Sequence, residues 1–260
     1  MWHLISTILK CFIKIIFSYF SWINPYNKKI DKIPLEQRYQ KVRELVSYVD
    51  KRLKIDIHVE GKENIIDNAC YFSNHYAITD PIIIFPLMEK PISFLGKIEI
   101  EKYPFVGKAL RVGGGLFLDR DNLKQQLKIM MKVQDSLAKK ERSWMIYPEG
   151  TRNKDQMQVI PEFHHGTFRA AMKAKAPIVP VVEFGTFRIL DTSTSLKTYP
   201  TIVKFLKPIY PEEYEGLSTE DVAKIVHSRI QQELMYNVRP SYHKIMLETN
   251  KDKYRFNKNY

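Results

Sequence analysis

The spacing of apolar residues changes character near residue 54. Before it the period is helical; after it, short alternating runs take over. Residues 4–23, "LISTILKCFIKIIFSYFSWI", would span about 30 Å as a helix. In residues 2–23 the polar positions His3, Thr7, Lys10, Lys14, Ser18 and Ser21 recur every three or four residues as one stripe. Trp2, Leu9, Phe12, Ile16, Phe20 and Ile23 cover the rest. Residues 35–53 repeat the pattern through Tyr39, Val42, Val46, Val49 and Leu53. From Ile55, "IDIHVEG" alternates as a half-buried strand, and "ACYFSN", "ISFLGK", "LFLDR", "SWMIYPEG", "PIVPVVEF" and "TIVKFLKPI" follow as further strands. Helices are predicted after Pro81, with an interruption at Pro86, and over 122–140, 166–175 and about 219–236. Ser218 and Asp221 box the start of the last one. Strands alternating with helices predict a single α/β domain with a mixed sheet. The expected division is a membrane-associating helical segment over 1–54, a catalytic domain over 55–240, and a loosely held basic tail over 241–260.

The first segment decides where the molecule sits. Lys10 and Lys14 would each cost about 2.5–3.5 kcal/mol near the centre of a spanning helix, which nearly cancels the gain from its Leu, Ile and Phe residues. A single polar stripe instead suits a helix lying in the interface, its lysines among headgroups. No small-residue cleavage site follows, and Lys28, Lys29 and Lys32 point to the cytoplasmic face. A net charge of +12 and a pI near 9.4 call for an anionic partner, either a membrane surface or nucleic acid. The apolar first helix favours the membrane, and no nucleic-acid docking motif is present. The two cysteines, Cys11 and Cys70, read as free thiols of a reducing compartment.

The candidate chemistry begins at "SNHYAITDP", residues 73–81. On a continuous helix His75 and Asp80 would lie about 140° apart, so they meet only if the chain turns between them. Asp80 before Pro81 is a good N-cap, and a capping carboxylate with two oxygens could also orient a histidine. Three other stretches sit at strand ends. "GGGLFLDR" carries Arg120 after three glycines, "YPEGTR" groups Glu149, Gly150, Thr151 and Arg152, and "APIVPV" leads a loop into a strand. Glycines 113–115 and 150 would let the backbone approach a ligand, and arginine suits phosphate. His164 and His165 are adjacent and lack further ligands at metal-site spacing, so no metal is expected.

Together, "NHYAITD", "LFLDR", "YPEGTR" and "APIVPV" resemble the four ordered blocks of the glycerolipid acyltransferase family, whose motif is His-x4-Asp. The likeness covers roughly residues 55–210. It implies a membrane-bound acyltransferase with no cofactor. The donor would be a thioester, acyl-CoA or acyl carrier protein, and the acceptor the sn-2 hydroxyl of lysophosphatidic acid. Glycerol 3-phosphate or another lysophospholipid is the alternative acceptor. The other classes considered are a nucleic-acid-binding protein and a catalytically silent membrane scaffold. His75 is the expected base and Asp80 its orienting partner, with no serine nucleophile in a Gly-x-Ser-x-Gly setting. By the same resemblance Arg120, Glu149, Gly150 and Thr151 bind the glycerol phosphate, with Arg152 and Lys97 as further contacts. The chain departs from the pattern at Asn153, at Tyr147 where Phe or Val is common, and at His164 where lysine is frequent.

Overall fold

The computed structural model describes residues 11–154, 159–190 and 196–250. Seven strands form one sheet in the order β1-β7-β6-β2-β5-β3-β4. They are β1 (Ile55–Glu60), β2 (Cys70–Ser73), β3 (Ile92–Lys97), β4 (Leu116–Leu118), β5 (Ser143–Ile146), β6 (Ile178–Phe184) and β7 (Tyr199–Phe205). Every pairing is parallel except β6 with β7. β2 is central, and all four of its residues are buried. The short run Cys70–Ser73 is apolar on both faces because helices cover both sides of a parallel sheet.

Eight α-helices of five or more residues surround it among the described residues. In chain order they are α1 (residues 11–28), α2 (Leu35–Leu53), α3 (Asp80–Ile84), α4 (Val106–Val112), α5 (Leu123–Ala138), α6 (Arg169–Lys173), α7 (Thr219–Glu233) and α8 (Arg239–Asn250). The crossovers through α3 and α4 move one way across the sheet, and those through α5 and α6 move back. With right-handed connections this places α3 and α4 on one face and α5 and α6 on the other. The contacts agree: α1 and α2 pack on the α3–α4 side, and α5 packs against α6.

Several expected elements lie where the pattern put them. The 35–53 helix, the interruption at Pro86 and the Ser218–Asp221 capping box are all present. The first 54 residues, however, are not set apart from the rest. Tyr39 and Val42 of α2 belong to the main core, and the Tyr39 hydroxyl donates to the Met88 carbonyl at 3.1 Å. The tail is also corrected. Residues 239–250 continue the preceding helix through a π turn at Leu234–Val238, with Tyr242 and Met246 buried. Residues 251–260 of that expected tail lie outside the described residues.

The glycine run is likewise not open to a ligand. Gly113–Gly115 are buried and lie before β4, at the amino edge of the sheet. A Cβ on Gly114 would fall 2.6 Å from Arg142 Nη1 and 2.7 Å from Ser93 Oγ. The glycines admit the protein's own side chains: Arg38 Nη1 donates to the Val112 carbonyl at 2.8 Å and Arg142 Nη1 to that of Gly114 at 3.1 Å.

No described helix is long and apolar enough to cross a membrane. In α1 the orientation differs from expectation. Ser18 of the polar stripe is buried against the domain with Cys11 and Ile23, while Phe12, Ile13, Ile16, Phe17 and Phe20 point outward. Lys14 Nζ lies over the rings of Phe17 and Tyr48. Lys108 of α4 fastens the helix from below, donating to Tyr19 Oη at 2.7 Å and Asn24 Oδ1 at 2.8 Å. His3, Thr7 and Lys10 lie outside the described residues.

The C-terminal helix gives a direct test. Met246 is fully buried, so Met246→Ala is expected to lower unfolding stability by about 2–5 kcal/mol. Urea unfolding reads this, and an unchanged midpoint would mean that 239–250 contributes nothing to the core.

Candidate active site

Because β2, β3, β4, β5 and β6 run parallel, their carboxyl ends share one edge of the sheet. His75 follows β2, Arg120 follows β4, Glu149 follows β5, and Lys97 ends β3. Ligands of open α/β sheets bind at this edge.

The loop between β2 and α3 turns His75 back toward Asp80. His75 Nδ1 lies 2.6 Å from Asp80 Oδ2, and the same oxygen accepts from the backbone N–H groups of Tyr76 at 2.8 Å and Ala77 at 3.0 Å. Asp80 is the first residue of α3, and its side chain caps nothing in its own helix. The expected double duty of two oxygens is therefore corrected. Oδ2 takes all three contacts, and Oδ1 is buried without a partner. With Nδ1 held by a carboxylate, Nε2 of a neutral imidazole is the acceptor. The His75 side chain is 19% exposed and Asp80 is fully buried.

The loop after β5 grips the His75 backbone from both sides. His75 N–H donates to Glu149 Oε1 at 2.7 Å, and Asn153 N–H donates to the His75 carbonyl at 2.7 Å. Glu149 is buried, and its carboxyl is pushed up to about 8, mainly by burial and further by the Asp80 charge. Its Oε2 is buried without a partner. Glu149 therefore meets the His75 main chain rather than open solvent. Gly150 has φ +68°, and a Cβ there would come within 3.0 Å of His164 Cδ2. His164 and His165 diverge: His164 sits over Gly150, while His165 Nδ1 lies 3.1 Å from Thr219 Oγ1.

The remaining candidates form the rim. Arg120, Thr151, Arg152 and Lys97 are exposed. Lys97 Nζ pairs with Glu99 Oε1 at 2.6 Å, and this bond, aided by the Arg120 charge, holds the Glu99 carboxyl below its usual range. Lys97 and Leu118 are register partners, so Lys97 and Arg120 leave adjacent strand ends.

Three residues to which the sequence assigns no role lie directly behind His75, Asn74 and Glu183 buried and Tyr147 half-buried. The Tyr147 ring stacks on the imidazole, with centroids 4.4 Å apart and planes at 25°. Its hydroxyl donates to Glu183 Oε1 at 3.1 Å. The Asn74 side chain makes paired bonds with the Glu183 backbone, donating at 2.7 Å and accepting at 3.0 Å. Glu183 is fully buried and its carboxyl is pushed well up, first by burial, then by the Asp80 charge. A glutamate inside the otherwise apolar run "PIVPVVEF" was the available signal.

Residues 56–183 match the family model described as Acyltransferase, the interval that contains His75, Asp80, Arg120, Glu149 and Glu183. This stretch is an acyltransferase-family domain. The chain is 30% identical over 173 residues to a 1-acyl-sn-glycerol-3-phosphate acyltransferase of Cocos nucifera, which covers 66% of this chain and 56% of that protein. The chain thus spans little more than half the length of that plant relative. It is 26% identical over 231 residues to the enzyme of the same name from Haemophilus influenzae, covering 89% of this chain and 91% of that one. The crystal structure of the 1-acyl-sn-glycerophosphate (LPA) acyltransferase PlsC from Thermotoga maritima superposes with a TM-score of 0.68 at 21% identity, over 89% of this chain and 96% of that one, so the fold is shared. The matched interval runs from β1 into β6, and α1 and α2 precede it.

The buried carboxyls of the fold set a pH dependence. Burial pushes the Glu149 carboxyl and that of Asp50 in α2 up to about 8, and raises Glu183 in the same sense. An unfolded carboxyl titrates near 4. The folded chain therefore holds more protons between about pH 5 and 8, and stability falls as pH rises through that window. Glu149→Gln removes one of these groups, so its decline in denaturant-measured stability from pH 5 to 8 is expected to be shallower. Parallel curves would place the Glu149 titration in its usual range.

Proposed function

We propose that the chain transfers a fatty acyl group from a thioester to the sn-2 hydroxyl of 1-acylglycerol 3-phosphate, giving phosphatidic acid. The observation that carries this reading is the His75–Asp80 pair, whose 2.6 Å bond leaves Nε2 as the basic nitrogen at the strand-end edge. The names of the relatives along most of the chain support the same substrate class.

In the reaction, His75 Nε2 takes the proton of the acceptor hydroxyl as its oxygen attacks the thioester carbonyl carbon. The Asp80 carboxylate stabilises the imidazolium that forms. Collapse of the tetrahedral oxyanion breaks the carbon–sulfur bond, and the leaving thiolate takes the proton back from His75. The products are the ester and a free thiol. Arg120, beside Lys97 at the neighbouring strand end, is proposed to hold the acceptor phosphate, since a guanidinium can give two parallel hydrogen bonds to it. Gly150, Thr151 and Arg152 lie on the same rim and are proposed as further contacts. Glu149 supports the site by holding the His75 backbone.

His75→Ala is expected to reduce transfer to lysophosphatidic acid by about 10²–10⁴-fold, the usual contribution of a general base. Asp80→Asn should also be severely impaired, because an amide cannot stabilise the imidazolium. The check is transfer of labelled acyl groups from acyl-CoA and from acyl carrier protein. Wild-type rates in either variant would end the assignment.

The substrate and product are lipids, and α1 supplies the membrane contact in this proposal. Phe12, Ile13, Ile16, Phe17 and Phe20 form a single exposed apolar face suited to burial at the acyl–headgroup boundary on the cytoplasmic side. Phe17→Asp with Phe20→Asp is therefore expected to shift the protein from phospholipid vesicles into the supernatant on sedimentation. Undiminished sedimentation would remove α1 from the contact.

A further inference from the structure

Two polar side chains behind the histidine, Glu183 buried and Tyr147 half-buried, have no part in the proton transfer itself. Tyr147 follows β5 and Glu183 lies in β6, and these strands flank β2 on its two sides. Neighbouring strands lie about 4.8 Å apart, so a bond from one flank to the other must cross roughly 9–10 Å over the end of β2. The Tyr147 hydroxyl and Glu183 Oε1 close that gap at 3.1 Å, directly behind the residue where β2 gives way to His75.

We propose that Tyr147 and Glu183 form a tie across the end of β2 that fixes the tilt of the His75 imidazole, making both of them positioning residues for the acyl transfer. The inference rests on the proposed role of His75 as the base. Asp80 fixes the ring at one nitrogen only, and rotation about that bond still swings Nε2. The Tyr147 face, 4.4 Å from the imidazole at 25°, blocks the swing. A tyrosine ring is itself free to shift unless its far end is held, and Glu183 holds it. Asn74 then locks Glu183 through both of its backbone groups, so the tie has a fixed anchor.

Packing alone does not account for the pair. A phenylalanine would fill the space of Tyr147, and an apolar residue would suit the fully buried Glu183 position without the desolvation cost of a carboxyl group. Burial keeps Glu183 protonated, so it accepts from the tyrosine without placing a second charge beside Asp80. The other titratable groups at His75 are Asp80, on Nδ1, and Glu149, on the backbone N–H.

The test uses the full chain with Tyr147→Phe, Glu183→Leu, Glu183→Gln and the double variant Tyr147→Phe/Glu183→Leu. Tyr147→Phe keeps the stacked ring and loses only the tie. It is expected to lower kcat about five- to tenfold, in line with one buried hydrogen bond, with KM for lysophosphatidic acid and donor unchanged. Glu183→Leu should match it, the double variant should be no worse than either single one, and Glu183→Gln should restore most of the loss. ¹⁵N-histidine NMR without substrate supplies a second readout, in which Tyr147→Phe shifts the His75 ring signals and their titration. If His75 proves not to be the base, transfer survives His75→Ala while the NMR shift still appears, which separates the two failures. Unaltered kcat and unaltered His75 signals in Tyr147→Phe overturn the proposal. Multiplying losses in the double variant overturn it as well.

Discussion

One carboxylate oxygen organises the candidate site. Asp80 Oδ2 accepts from the His75 ring and from two successive backbone N–H groups, all within 3.0 Å. Those three bonds fold residues 75–80 into a tight loop, and the loop turns a histidine at a strand end toward the first residue of a helix. Without the carboxylate, the buried Tyr76 N–H and the half-buried Ala77 N–H would lose their partner and the ring would lose its orientation together. Removing such a group costs more than the net worth of its bonds, because each stranded donor remains desolvated. Local backbone geometry and the histidine tautomer are thus set by the same atom.

Around that atom the parallel sheet supplies the rest. Parallel pairing brings the ends of β2, β3, β4, β5 and β6 to one edge, so residues far apart in sequence converge there. Glu149 and Asn153 hold the His75 main chain, Tyr147 its ring, and Arg120 with Lys97 the exposed rim. Acidity is divided by environment. Glu149 and Glu183 are buried and pushed toward the neutral form, which keeps charge away from Asp80. The exposed rim is cationic at Arg120, Arg152 and Lys97. Such a layout suits the proposed anionic acceptor and the proposed role of His75 as base.

The proposed lipid contact lies at the N-terminal end of the described chain. α1 sits on the same face of the sheet as α4, and α4 leads through the Gly113–Gly115 turn into β4 and Arg120. The Lys108 bonds to Tyr19 and Asn24 make this a fastened connection. Burying Ser18 and exposing Phe12, Ile13, Ile16, Phe17 and Phe20 leaves an apolar face that the domain itself does not cover.

The sequence by itself determined most of the elements and singled out the His75–Asp80 pair. Alternation in "IDIHVEG" and short apolar runs marked the strands, the Leu35–Leu53 spacing marked its helix, and Ser218 with Asp221 marked a capped start, because each of these is a local property of the chain. The spacing of His75 and Asp80 told that the chain must turn, since no helix could join them. What it could not tell was the direction of each side chain. The polar stripe of α1 was legible, but which side met the domain depended on what α2 and α4 presented to it. Asp80 read as a helix cap because its neighbours in sequence favoured one, whereas the nearest unpaired donors in space were in the preceding loop. The glycines before β4 read as a ligand cradle, and the fold filled their space with Arg142 and Ser93. Tyr147 and Glu183 are 36 residues apart, and their bond exists only because β5 and β6 flank β2. Strand order is set by long-range packing, and no local spacing encodes it.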